Sequence, residues 1–424
     1  MEQSLGIARR LGWGVGDQAL SSLANFALSV AAARLVSAHE FGAFAVAFAT
    51  YLVALNVTRH LSAQPLAVRY PEVNVETWQT AAAASTGLIV VLSVAMGGLF
   101  VMAGIVLGEA LGAALIALGV TLPGLLLQDG WRFAFFARAR GDMAFRNDLT
   151  WVAVLFGGLA ILVAITKPGV FLIVLLWGIA GTAASLVGIV QAKVVPDIRR
   201  AREWWREHRD IGPRYLASEL STMGATQFTI YVVGIVAGLA AAGSLRAAQV
   251  LLGPVNIMSM AVHLVVIPTA SRLFDRSAER FTQLCVATST LLVTAIVAEV
   301  AVVLAFPDLI GPTLLGASWP GASIVFVPVA LAMLAQSASK GPRLGLAATA
   351  AARTILKLTV AEAILSMLGG LIGVLVGGAY GAASGMALGY LVMVGPWWLQ
   401  LRQRSAHAGR AARLRGAAAV RSAQ

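Results

Sequence analysis

The chain has little that would let it dissolve in water. Charged residues make up 12% of its 424 positions, hydrophobic residues 59%, and the mean hydropathy is +0.83. Too little polar surface is left to cover a globule of this size, which excludes a soluble protein. Cysteine is nearly absent. Cys285 stands alone, which excludes an intramolecular disulfide and a cysteine-based metal site. No G-x-x-x-x-G-K-[ST] loop and no H-E-x-x-H pair occurs, so the chain has no P-loop with which to use ATP and no zincin motif. The segment GAASG at 381–385 lacks the G-x-S-x-G spacing of a nucleophile elbow. It lies in a glycine-rich stretch where close helix packing is the expected role. No enzyme activity, cofactor or metal site is expected.

What fills the chain instead is apolar sequence. Twelve stretches read as membrane spans, at roughly 12–33, 42–63, 80–103, 109–128, 149–166, 170–191, 215–240, 243–266, 285–306, 317–337, 354–376 and 379–400. About 20 apolar residues cross a bilayer core as helix, and helix is the expected form because lipid satisfies no backbone hydrogen bonds. The expected fold is therefore an all-α polytopic membrane protein. The first stretch is expected to be kept rather than cleaved, since Asp17, Gln18 and Asn25 interrupt it.

The cations orient these spans. Of 31 Lys and Arg, all but Arg34, Lys167 and Arg246 fall on one side when the N-terminus is placed inside. This positive-inside split puts both termini in the cytoplasm. The formal charge of +12 is then accounted for by cytoplasmic cations facing anionic lipid, and nucleic acid is not an expected partner. Trp13, Trp78, Trp131, Trp151, Trp319, Trp397 and Trp398 stand near span ends, where an aromatic belt is expected, whereas Trp177 lies inside a span and reads as packing.

A charged segment, VPDIRRAREWWREHRDIGPR, divides the chain in half. It reads as an amphipathic helix on the inner membrane surface. Residues 1–192 form the first lobe, 193–214 the cytoplasmic linker, 215–402 the second lobe and 403–424 a basic tail. Gly12 and Gly212 recur at the same offset as Asn56 and Asn256, and Gly42 and Gly243 sit in equivalent turns. Six spans per half is an even number, so the halves form a parallel repeat with a cavity between two lobes. The connections on the outer side are short, the longest being about 307–316. That leaves no room for the outer loop a membrane polymerase or ligase acting on lipid-linked sugars would need.

Ionisable residues inside spans are the candidate site, because burying a charge in hydrocarbon is costly. Asp17 and Glu219 open the two halves. They stand as ion-coupling candidates facing one cavity, or as acids at the inner headgroups. Arg34, Arg59, His60, Arg246 and His263 are the cationic candidates. Arg offers bidentate hydrogen bonds to phosphate and His a titratable donor; the alternatives are anchoring, snorkelling and packing. Glu362 is expected to pair with Lys357 or Arg353, and Glu299 to reach water near the outer end.

The segment RLVSAHEFGAFAVAFAT (34–50) resembles the first outer turn of Wzx-type polysaccharide flippases in the MATE-like (MOP) transporter superfamily, with Glu40, Phe41 and Gly42 matching. VIPTASRL (266–273) and FARARGDMAFRNDL (136–149) resemble inner segments of the same family. The resemblance covers about 5–402. It implies a twelve-helix transporter of the bacterial plasma membrane that moves a polyprenyl-pyrophosphate-linked oligosaccharide from the inner to the outer leaflet. A cationic cavity would hold the head while the tail stays in membrane lipid, and glycosyltransferases or a polymerase of the same pathway would be partners. A cation-coupled multidrug exporter of the same superfamily and a peptidoglycan-precursor flippase are the competing readings.

Overall fold

The computed structural model describes the backbone of residues 2–422, and the side chains of 12–406 except at Ser218, Leu220, Ser221, Thr222, Ile257, Ala261, His263, Leu264, Val265 and Asp275. Among the described residues every regular element is a helix. The first lobe contains α1 (Glu2–Leu35), α2 (Ala38–Arg69), α3 (Val75–Leu107), α4 (Glu109–Ala137), α5 (Gly141–Ile165) and α6 (Val170–Ala192). A short helix, α7 (Ala201–His208), connects it to α8 (Gly212–Val236), α9 (Leu239–Leu251), α10 (Gly253–Arg276), α11 (Ala278–Ala305), α12 (Pro307–Ala348) and α13 (Ala352–Ser422).

These elements make twelve spans. α9 and α10 form one span broken at Leu252, just before Gly253-Pro254. α13 forms two, folded back where Gly378 takes φ +56°, a left-handed conformation that glycine adopts without strain. Across that fold Gly369 and Gly373 meet Gly385 and Gly381 backbone to backbone, so the glycines around 381–385 serve close helix packing. Eight helices among the described residues are long and apolar enough to cross a membrane on hydropathy alone. The spans that fall short include α1, α8 and the broken α9–α10 pair, which are also the elements that bring polar side chains to the centre.

The matched turn motif has a physical basis. Ser37 Oγ accepts from Glu40 N at 3.2 Å, and Glu40 Oε2 accepts from Ser37 N at 3.2 Å, a reciprocal cap on α2. The other carboxylate oxygen, Oε1, accepts from Val170 N at 3.3 Å, so the same glutamate also anchors the start of α6. Phe41 is fully buried. Gly42 and Gly243, equivalent in the repeat, touch each other where α2 of one lobe meets α9 of the other.

α2 is longer than its expected span and contains a π-turn at Arg59–Ala63. Pro65 follows and lacks the N–H that would close the preceding α-turn, so the helix widens there. Ser62 Oγ pins the wide turn to α3 by donating to Ser85 O at 2.7 Å. The linker helix forms as expected, though shorter: Trp204 is buried against Tyr70 and His208, while Trp205 is 37% exposed. Asp197 N donates to Ala83 O at 2.9 Å and ties the linker to α3. The aromatic belt is corrected at four positions. Trp78, Trp131, Trp151 and Trp397 are buried inside the protein rather than placed at the headgroups, because each falls on the helix face that packs against neighbouring spans.

Candidate functional site

A cavity of about 350 Å³ lies between the lobes. α1 supplies Gln18, Ser21, Ser22, Asn25 and Ser29, a spacing that places all five on one helix face. α2 contributes Phe48, Tyr51, Leu52, Leu55 and Arg59 at the same period, and α4 contributes Leu125, Gln128, Asp129 and Arg132. Trp151 and Trp177 add aromatic wall, and the second lobe adds Met223, Arg246, Gln249, Asn256 and Met260. The result is a polar, aromatic chamber in the middle of an apolar protein.

The first-lobe wall of this chamber is a charge network. Arg59 donates to both oxygens of Asp129, Nε to Oδ2 at 2.7 Å and Nη2 to Oδ1 at 2.6 Å. Arg132 Nη2 donates to Asp17 Oδ2 at 2.6 Å and Nη1 reaches Asp129 Oδ1 at 3.5 Å. Its Nε stands 3.2 Å from Asp148 Oδ2, within ion-pair range but not aligned for a hydrogen bond. Gln128 Nε2 donates to Asp148 Oδ1 at 2.7 Å. Three carboxylates therefore share two guanidiniums. Asp17 and Asp148 are wholly buried, and Asp17 Oδ1 has no partner among the described residues.

On the second-lobe wall the charge is left open. The Arg246 guanidinium stands 4.4 Å over the Phe48 ring and Nη2 donates to Ser29 Oγ at 3.2 Å. Among the described residues no carboxylate lies within ion-pair distance of it. Arg246 is a cation held by an aromatic face and a hydroxyl, which fixes its direction but leaves its charge uncompensated.

The two lobes repeat one element of this chemistry. Lys340 and Arg343 sit in the C-terminal part of α12 with the three-residue spacing that Asp129 and Arg132 have on α4. Arg343 pairs with Glu362, as Arg132 does with Asp148, and Trp397 Nε1 donates to Glu362 Oε2 at 2.6 Å. The partner of Glu362 is thus Arg343, not Lys357 or Arg353: Arg343 lies across a helix interface, whereas the other two stand on the same helix as Glu362. Three residues before the paired arginine, the first lobe has Asp129 and the second has Lys340.

The seven candidate residues divide. Arg59, Arg246 and, through Arg132, Asp17 meet at the central cavity. His60 turns away and pairs with Gln64 at 2.6 Å. Arg34 is exposed at the end of α1 beside Gly316. Glu219 is half-buried on the first turns of α8, outside the cavity lining. The side chain of His263 lies outside the described residues. Sequence reasoning passed over Asp129, Arg132 and Asp148 as site residues because the fourth span was ended at 128, where polarity rises. The helix in fact runs on to Ala137, since its charges are satisfied inside the protein.

The network predicts a stability effect. Arg132→Met leaves Asp17 and Asp148 buried without their counter-charge, and breaking one side of a buried pair costs about 3–5 kcal/mol. The expected result is loss of monodisperse protein in fluorescence-detected size exclusion. Asp17→Asn in the same chain restores part of it. Unchanged yield and melting for Arg132→Met alone would remove the network from the stability of the fold.

A family profile described as a polysaccharide biosynthesis protein matches residues 31–324. Among solved structures the chain is similar to a multidrug resistance MATE family transporter of the MOP superfamily in an inward-facing conformation. Identity there is 15%, coverage 93% of this chain and 96% of that one, and the TM-score 0.75. An outward-facing conformation of such a transporter aligns at 14% identity, over 96% of each chain, with a TM-score of 0.60. A MOP superfamily transporter from Pyrococcus furiosus, described by a binding pocket of reversed polarity, aligns at 14% identity over 95% of this chain and 96% of that one, with a TM-score of 0.58. At these identities the shared property is the fold, twelve membrane helices in two lobes. A search among curated proteins finds no match.

Proposed function

The chain belongs to the polysaccharide biosynthesis protein family matched over residues 31–324, and from that premise we propose that it is a flippase for a polyprenyl-diphosphate-linked oligosaccharide. It moves the head group from the inner to the outer leaflet of a bacterial plasma membrane by alternating access between the lobes. The observation that carries this reading is Arg246, a guanidinium with no carboxylate partner among the described residues, in a central chamber whose lining also offers hydroxyls, amides and aromatic rings. A diphosphate supplies the missing anion, and guanidinium is the side chain best shaped to hold it. The α1 stripe from Gln18 to Ser29, with Gln249 and Asn256 opposite, suits sugar hydroxyls. Tyr51, Trp151 and Trp177 offer faces for sugar rings. The prenyl tail stays in lipid.

The polarity of the site argues against export of cationic drugs. A free carboxylate would favour a cation, and each acid that lines or backs this chamber is engaged by arginine. Asp17, buried and with one carboxylate oxygen unpartnered among the described residues, is the ion-coupling candidate of this network. Both termini and the basic tail are placed in the cytoplasm on the distribution of cations. Moving an anion outward then gains about 2.3 kcal/mol per charge per 100 mV from an inside-negative potential.

The test is flipping in proteoliposomes loaded with a fluorescent polyprenyl-diphosphate oligosaccharide and quenched from one side. Protein-dependent loss of protection, faster under an imposed potential, is the expected result. Cation-driven efflux of a cationic dye without glycolipid movement would transfer the chain to the exporter class.

A further inference from the structure

Resting on the flippase reading, we propose that Asp129 is an internal stand-in for the substrate diphosphate: it occupies Arg59 in the empty carrier and is displaced when the substrate arrives. The geometry of the pair is that of an anion site already filled. Arg59 presents Nε and Nη2 to the two carboxylate oxygens at 2.7 and 2.6 Å, the fork-to-fork arrangement a phosphate would take. The two partners are not equally sheltered. The Arg59 side chain is 29% exposed and lines the chamber, whereas that of Asp129 is 4% exposed. An anion entering the chamber reaches the more exposed guanidinium first and then competes with the carboxylate for Nε and Nη2.

Asp129 also has somewhere to go. Arg132 Nη1 already stands 3.5 Å from Asp129 Oδ1, so a carboxylate released by Arg59 keeps a guanidinium partner one helical turn along α4. The wide π-turn at Arg59–Ala63 begins at the arginine itself, and such turns are frequent at functional sites. In the exchange Arg59 trades a carboxylate for a phosphate, and Asp129 keeps the Arg132 contact it already has.

The device answers a physical problem of an anion carrier. A guanidinium left bare in a membrane cavity is costly, and a carrier must return empty. With Asp129 in place, the first lobe makes that return with Arg59 neutralised. Three residues before Arg343 the second lobe has Lys340 and not an acid.

The experiment is binding of farnesyl diphosphate to the purified full-length protein by calorimetry, paired with glycolipid flipping, for wild type, Asp129→Asn and Asp148→Asn. Both variants remove one negative charge from the same network, but only the first frees Arg59. Asp129→Asn is expected to bind about tenfold more tightly, the scale of one competing charged hydrogen-bond pair. Its turnover is expected to fall, because the empty carrier no longer neutralises Arg59. Asp148→Asn is expected to tighten binding far less. Equal tightening by both variants would reduce the effect to the general field of the cavity and overturn the stand-in role. Weaker or unchanged binding in Asp129→Asn would do the same and make the pair structural. Failure of the flippase reading is separable, since it shows as absence of glycolipid movement by the wild type whatever the binding data.

Discussion

Arg246→Ala is expected to reduce glycolipid flipping by ten- to hundredfold at normal protein levels. The guanidinium is held by Phe48 at 4.4 Å and Ser29 at 3.2 Å, neither of which neutralises it. Its charge is therefore available to a ligand in a way that those of Arg59 and Arg132 are not. Hydrogen bonds to a charged group contribute about 1.5–3 kcal/mol each, which corresponds to the stated range. The protein itself should tolerate the change. Removing a half-buried cation that has no carboxylate partner among the described residues leaves no orphaned counter-charge, in contrast to Arg132→Met. Arg246→Lys keeps the charge but loses the planar fork, and an intermediate rate is expected. Ser29→Ala should cost less, since it removes a positioning contact and not the cation. The sign of the Arg246→Ala effect also separates the competing functions. If the chamber carried organic cations, deleting a positive charge from its wall would improve binding. Proteoliposome flipping set against dye efflux for the same two proteins reads both signs, and faster dye export by the variant would sink the anion reading.

The sequence disclosed the membrane architecture because hydrophobic length and cation placement are properties of the chain itself. Each of the twelve expected spans corresponds to a helical span in the structure, even where hydropathy is diluted by the serines and amides of α1. What sequence could not disclose was pairing. Arg132 counted as a positive-inside cation, although it is buried among Asp17, Asp129 and Asp148. Those three acids arrive from three different helices, and no local spacing signals their meeting. Arg246 was legible as an intramembrane cation. Its lack of a counter-ion was not, because that depends on Phe48 and Ser29 arriving from the other lobe. The glycine pair shows the same limit in another form. Gly42 and Gly243 were legible as equivalent turns of a repeat, and only the folded chain shows that equivalence brings them into contact.

That contact leads to the second large effect. Gly243→Val is expected to hold the two lobes apart at the end where α2 meets α9, and to stop transport without unfolding either lobe. A Cβ at 243 would stand 2.9 Å from Gly42 N and 3.1 Å from Ala38 O. These are backbone atoms of a helix start fixed by the Ser37–Glu40 cap, so they cannot yield as a flexible side chain would. Overpacking of this kind costs about 1–3 kcal/mol, and it applies only to the state in which the lobes touch. Roughly a ten- to hundredfold shift of the population away from that state follows. On the topology proposed, the contact lies on the outer side and closes that end of the chamber. The measurement uses a chain whose one native cysteine is removed by Cys285→Ala, with Asn25→Cys introduced in the chamber. A membrane-impermeant maleimide added outside should label this chain poorly and its Gly243→Val derivative rapidly. Gly243→Ala, with the smallest Cβ, should fall between. Equal labelling with and without the valine would show that the lobes part elsewhere, and that the glycine contact is packing and not the outer seal.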